Sequence, residues 1–111
     1  MNYKIFALSV LLAVVLVSGC VNTDEAPATR SDINNATLSC VSLCREMLNN
    51  GENLSRGPCL SNEIIDNWVC DVAHSPRTVE DNNPENQCSA YGKTAKHFVE
   101  VDPECNFIRA I

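Results

Sequence analysis

The chain has 111 residues, 45% of them apolar, with eight basic side chains against fourteen acidic ones, and seven cysteines. That length leaves room for one domain at most, and a net charge of −6 speaks against nucleic acid as a partner and against electrostatic attachment to anionic lipid. Fifteen of the first twenty residues are apolar, so the other 91 hold only 35, about 38%, and burial alone supplies such a domain with a few kcal/mol of net stability at most.

At the start, Lys4 provides a short basic region, residues 5–17 are apolar apart from Ser9, and Ser18-Gly19-Cys20 closes the run. This is the pattern of a secretory leader, too short to cross a bilayer comfortably. Val17-Ser18-Gly19-Cys20 resembles the lipobox of prokaryotic lipoproteins, with Val17 where Leu is commoner. The resemblance implies a signal peptide over residues 1–19, cleavage before Cys20 and lipid on that cysteine. Plain cleavage, an uncleaved anchor or a buried helix of the fold are the alternatives. Residues 21–36 lack aromatics and are rich in Asp, Asn, Thr and Ala, so residues 20–36 are expected to form the attachment cysteine and a flexible tether. Asn35-Ala36-Thr37 and Asn53-Leu54-Ser55 match the N-glycosylation sequon.

Residues 37–111 are expected to form a small disulfide-rich domain. Apolar positions 40, 43, 44, 47 and 48 make a helical stripe within residues 38–50, capped by Asn35 or Thr37 and ended by Gly51. Cys40 and Cys44 project side by side from consecutive turns of one face. Their Cβ vectors do not converge, so each should bond elsewhere. With Cys20 assigned to lipid, Cys40, Cys44, Cys59, Cys70, Cys88 and Cys105 form an even set that reads as three disulfides in an exported chain. The pairing is open; the preferred one joins Cys88 to Cys105 and the helix pair to Cys59 and Cys70.

Residues 59–74 look like the organising stretch, because they hold the only Trp, two cysteines and a histidine. Within them Trp68, Cys70 and Val72 alternate at strand period, while residues 62–67 are ambiguous. Ser75-Pro76 ends this strand, and residues 77–87 read as a polar, acidic loop. Residues 95–101 form a second strand, Asp102-Pro103-Glu104 a tight turn and residues 105–111 a third strand, making a hairpin. The expected fold is α+β: one N-terminal helix packed on a small antiparallel sheet of about three strands, stapled by three disulfides.

Gly57-Pro58-Cys59-Leu60-Ser61-Asn62-Glu63-Ile64-Ile65, Trp68-Val69-Cys70-Asp71-Val72-Ala73-His74, Pro84-Glu85-Asn86-Gln87-Cys88 and His97-Phe98-Val99-Glu100-Val101-Asp102-Pro103 resemble small uncharacterised cysteine-rich proteins of archaea. That resemblance covers nearly the whole mature domain and implies no activity.

The chemistry-bearing residues are few. If the Trp68 strand paired antiparallel with the second strand so that Val72 faced Val99, His74 would lie opposite His97, with Asp71 and Glu100 on the other face. Such a pair could hold a metal or move a proton, whereas two surface histidines would do neither. Zinc on Cys40 and Cys44 with a histidine lacks a C-x2-C knuckle, and thiol redox chemistry lacks a C-x-x-C at a helix start. Glu80, Asp81 and Glu85 with Asn82 and Asn83 lack calcium-loop spacing and read as a solvated loop. No G-x-S-x-G, H-E-x-x-H or glycine-rich phosphate loop occurs. Trp68 reads as core more than as a ligand platform. No cofactor or metal is implied. The leading expectation is a non-enzymatic domain held by lipid to the outer face of the cytoplasmic membrane, binding an envelope protein or other surface ligand. The alternative is a small metal-dependent or acid/base hydrolase using His74 and His97. A third option, an inhibitor-like scaffold, would present residues 75–87.

Overall fold

The computed structural model describes residues 27–111. The signal peptide expected over residues 1–19, the lipobox with Cys20 and the tether up to residue 26 lie outside the described residues. Helix α1 spans Arg30–Asn49, so residues 30–36, expected to be tether, form its first two turns. The reason is local. Thr29 and Asp32 make a reciprocal capping box, the Thr29 hydroxyl accepting from the Asp32 amide at 3.1 Å and Asp32 accepting from the Thr29 amide at 3.2 Å. That hydrogen bonding holds the Asp32 carboxyl below its ordinary value. Ala28, just before the cap, and Ile33 both pack against the core, which fixes the entry of the chain.

At the other end Gly51, at φ +81°, lets its amide reach the Leu48 carbonyl and the Glu52 amide reach Met47, the double closure expected of a left-handed cap. Ala36, Cys40 and Cys44, four residues apart, form the fully buried stripe of the helix.

The sheet has four strands in the order β1-β2-β3-β4: β1 Cys59–Ile65, β2 Trp68–Val72, β3 His97–Val101 and β4 Phe107–Ala110. β1 and β2 form an antiparallel pair with irregular register, and β3 and β4 form the expected hairpin. Between β2 and β3 the pairing is parallel, with Trp68 aligned to His97, Cys70 to Val99, Asp71 to Glu100 and Val72 to Val101. The sheet is therefore mixed, and it has one strand more than expected. Residues 73–96 are long enough to carry the chain back to the starting end of the sheet, as a parallel neighbour requires. They do so through two 3-10 turns at Val79–Asn82 and Pro84–Asn86.

One face of the sheet meets α1. Trp68, Cys70 and Val72 from β2 and Val99 and Val101 from β3 make the main core with the helix stripe. On the opposite face Val69, Cys88 and Ala95 form a smaller cluster with Phe98 against it, where the crossing segment packs down. The three disulfides bolt these layers together: Cys40–Cys70 joins α1 to β2, Cys44–Cys105 joins it to the β3–β4 turn, and Cys59–Cys88 ties β1 to the crossing segment. Neither helix cysteine bonds the other, as the side-by-side geometry requires. Of the preferred pairing, the helix bond to Cys70 forms, but the helix bond to Cys59 and the Cys88–Cys105 bond do not, because Cys88 lies with the crossing segment on the face away from α1, where it takes Cys59, while Cys105 closes the turn toward the helix.

Candidate functional site

The parallel register separates the two histidines. His97 aligns with Trp68 at the start of β2 and stacks on its ring, centroids 4.8 Å apart and planes 25° from parallel. Trp68 is 2% exposed and belongs to the core. His74 follows the far end of β2, five or six residues away along a strand that rises about 3.3 Å per residue. The expected His74–His97 pair therefore does not form. It required an antiparallel register, and a parallel one sends the two rings to opposite ends of the same strand.

His74 instead belongs to a clip built on Asp81, which is 2% exposed. Asp81 Oδ1 accepts from His74 Nδ1 at 2.9 Å, and Oδ2 accepts from the amides of His74 and Thr78, each at 2.9 Å. The hydrogen bond to Asp81 raises the His74 pKa above its ordinary value, with a further bond to the Ser55 backbone acting the same way. Burial pushes the Asp81 carboxyl up, but the hydrogen bonds from Thr78 and His74 outweigh it and leave the group below its ordinary value. By linkage, the raised histidine stabilises the fold below about 6.5 and loses that effect as pH rises through its folded value. The depressed carboxylate stabilises it above about 3.8 and loses that effect as pH falls through its folded value. Gly57 makes room for the clip. At φ +72°, a Cβ there would stand 2.6 Å from Asp81 Oδ1 and 3.0 Å from the Val72 carbonyl. With His74 Nδ1 bonded to Asp81 and its amide bonded to the same carboxylate, the clip is a fastening of the crossing segment.

The open chemistry lies on the sheet face away from α1, in a cleft of about 280 Å³. Asp71 and Glu100, neighbours across β2 and β3, form its acidic floor; Arg77, Arg109, Tyr91 and Phe98 line it. Arg109 reaches both oxygens of Glu100, Nε to Oε2 at 3.3 Å and Nη2 to Oε1 at 3.2 Å, a two-point guanidinium–carboxylate bond. Arg77 adds Nη1 to Oε1 at 3.3 Å, and its Nη2 donates to the Asp81 carbonyl at 3.3 Å, linking cleft and clip. The Arg109 guanidinium lies 5.3 Å from the centre of the Phe98 ring, whose edge contact with Tyr91 is 5.1 Å between centroids.

Asp71 differs from its neighbour. Its Oδ1 is buried and has no hydrogen-bond partner. Burial first, and the charge of Glu100 second, push its pKa up to about 8, against the pull of Arg77. Near neutral pH the floor thus carries one protonated carboxyl beside one carboxylate clasped by two guanidiniums. That arrangement can donate to and accept from a polar ligand, but both Glu100 oxygens are already engaged, which leaves no free base beside the acid.

Sequence reading placed Asp71 and Glu100 together on the far face, and they are together. It missed Arg77, Tyr91, Phe98 and Arg109, which the crossing segment, β3 and β4 bring to them. All six cysteines from Cys40 onward are in disulfides, and among the described residues no group of three or more His, Cys, Asp or Glu side chains could hold a metal ion. No described helix is long and apolar enough to cross a membrane. No protein-family model, curated protein or solved structure matches the chain.

Proposed function

We propose that this chain is a lipid-anchored domain on the outer face of the cytoplasmic membrane that binds an envelope protein or other surface ligand through the cleft over Asp71 and Glu100, without catalysing a reaction. The observation that carries the binding half is the Asp71 carboxyl, whose buried oxygen faces no partner within the protein while charged and aromatic side chains surround it. A ligand that turns the Asp71 carboxyl toward the cleft and donates to that oxygen would remove the cost of leaving it unpaired, about 1–3 kcal/mol. The leader with Cys20 and the exported style of cysteine use support the location. The histidine hydrolase has no support once His74 is fastened to Asp81 and His97 is stacked on Trp68.

Detergent phase partitioning of the full chain from its source cells tests the anchor. The wild type is expected in the detergent phase with lipid on the Cys20 peptide, and Cys20→Ser in the aqueous phase. Wild-type protein recovered soluble and without lipid sinks this half. For the cleft, an NMR titration of the isotope-labelled protein with a panel of sugars, amino acids and organic acids should shift the amides of Val69, Asp71, Phe98 and Glu100 for at least one compound. An Arg109→Gln variant should weaken that response tenfold or more, and shifts unchanged by Arg109→Gln would remove the cleft from the reading.

A further inference from the structure

The two sequons sit in opposite structural settings. Asn35-Ala36-Thr37 lies inside α1, with Ala36 0% exposed in the stripe that packs on the sheet. The Thr37 hydroxyl oxygen is buried and has no hydrogen-bond partner. Asn53-Leu54-Ser55 lies in the loop between α1 and β1. Leu54 is 2% exposed and anchors that loop in the core, while Asn53 and Ser55 on either side are exposed. The Asn53 side chain also turns back on its own backbone, Oδ1 accepting from the Ser55 amide at 3.0 Å.

We infer that Asn53 is an N-glycan acceptor and that Asn35 is not. Resting as it does on the extracytoplasmic location proposed above, the inference adds a modification site to that reading. Acceptor chemistry needs the carboxamide nitrogen and the hydroxyl two residues on to enter an enzyme's site together, with the chain bent sharply between them. Asn53 and Ser55 both reach solvent, and the Asn53 side chain folds back onto the Ser55 amide in a loop outside any helix or strand, so the bend can form there without opening an element. The hydrogen bond from Ser55 to Oδ1 draws electron density onto the oxygen of the carboxamide and lowers the barrier to losing an N–H proton.

In the transfer, Asn53 Nδ2 attacks the anomeric carbon of a glycan carried on a polyisoprenyl phosphate. The new C–N bond forms as the bond from that carbon to phosphate oxygen breaks. The lipid phosphate leaves with the electron pair, and the amide proton passes to a carboxylate of the transferase. At Asn35 the same bend would require opening α1 across Ala36 and extracting the Thr37 hydroxyl from the interior. A glycan at Asn53 would also leave the ligand cleft free, because none of the residues lining that cleft comes from the loop between α1 and β1.

The test expresses the full chain behind the export signal of a host surface glycoprotein, in an archaeal host that N-glycosylates its exported proteins, and reads intact and peptide masses. The glycan is expected on the Asn53 peptide, with the Asn35 peptide unmodified. Asn53→Gln and Ser55→Ala should each abolish it, Ser55→Thr and Asn35→Gln should retain it. An exported, disulfide-bonded chain with bare Asn53, or one glycosylated at Asn35, overturns the inference. Export is supplied from outside, so failure of the lipid anchor in source cells would count against the proposed location alone.

Discussion

Asp71 shows what neighbouring strands do to a single group. Buried on the sheet face, and aligned there with the charge of Glu100 across β2 and β3, it resists ionising and keeps its proton to about pH 8. Its folded-state value lies above the ordinary 3.8. Its contribution to folding is therefore fullest below about 3.8 and declines as pH rises toward 8. Asp71→Asn keeps the shape and removes the charge, so it should change stability little at pH 3, below the ordinary value of 3.8, and raise it by about 1–3 kcal/mol at pH 9. Urea unfolding at the two pH values measures the difference, and a gain of equal size at both would show that Asp71 titrates as an ordinary surface carboxyl. Asp71 and Glu100 were legible as far-face residues because alternation along a strand survives any choice of partner. Arg77 was not, since nothing local to it says which carboxylate it will meet; Arg109 meets Glu100 because the β3–β4 hairpin register sets the two opposite each other.

At the scale of the element, α1 is long because of its caps and placed because of its cysteines. Thr29-x-x-Asp32 is a start signal readable in the chain, and it was obscured by the polar composition of the residues around it. Amphipathic period put Cys40 and Cys44 on one face, but the cysteines they bond depend on what passes beneath each turn. Cys44–Cys105 encloses a sequence separation of 61 and is the only covalent tie between the helix and the β3–β4 turn. Replacing Cys44 and Cys105 together by Ala should cost about 4 kcal/mol in the chain-entropy account. In hydrogen exchange the protection of β4 should fall further than that of β1, which keeps its tie through Cys59–Cys88. Uniform loss of protection across the four strands would mean that the bond acts only on the unfolded chain.

As a whole molecule the domain rests on few large side chains. Its largest fully buried residues are valines and cysteines, Val69, Val72, Val99 and Val101 among them. A core of that size leaves the three disulfides to supply the margin. Reduction should therefore unfold the protein at ambient temperature, seen as loss of the near-ultraviolet signal of Trp68, and a reduced chain that stays folded would show the core sufficient alone. The stack of Trp68 on His97 makes that signal a reporter of the β2–β3 pairing itself.

The elements belong to the sequence: a capped amphipathic helix, alternating strands, a hairpin turn at Asp102-Pro103-Glu104 and an even set of cysteines whose two helical members cannot join each other. These are local properties, carried by the period of side chains along the backbone and by residues a few positions apart. Tertiary structure alone decided that β3 runs parallel to β2, that Cys88 pairs with Cys59, that His74 fastens Asp81, and that two arginines gather over Glu100. All but the Arg109 contact, which the β3–β4 hairpin register supplies, depend on the route residues 73–96 take across the sheet. Alternation reads the same on parallel and antiparallel strands, and closing one long loop costs little more than closing another. The packing of the far face therefore made the choice.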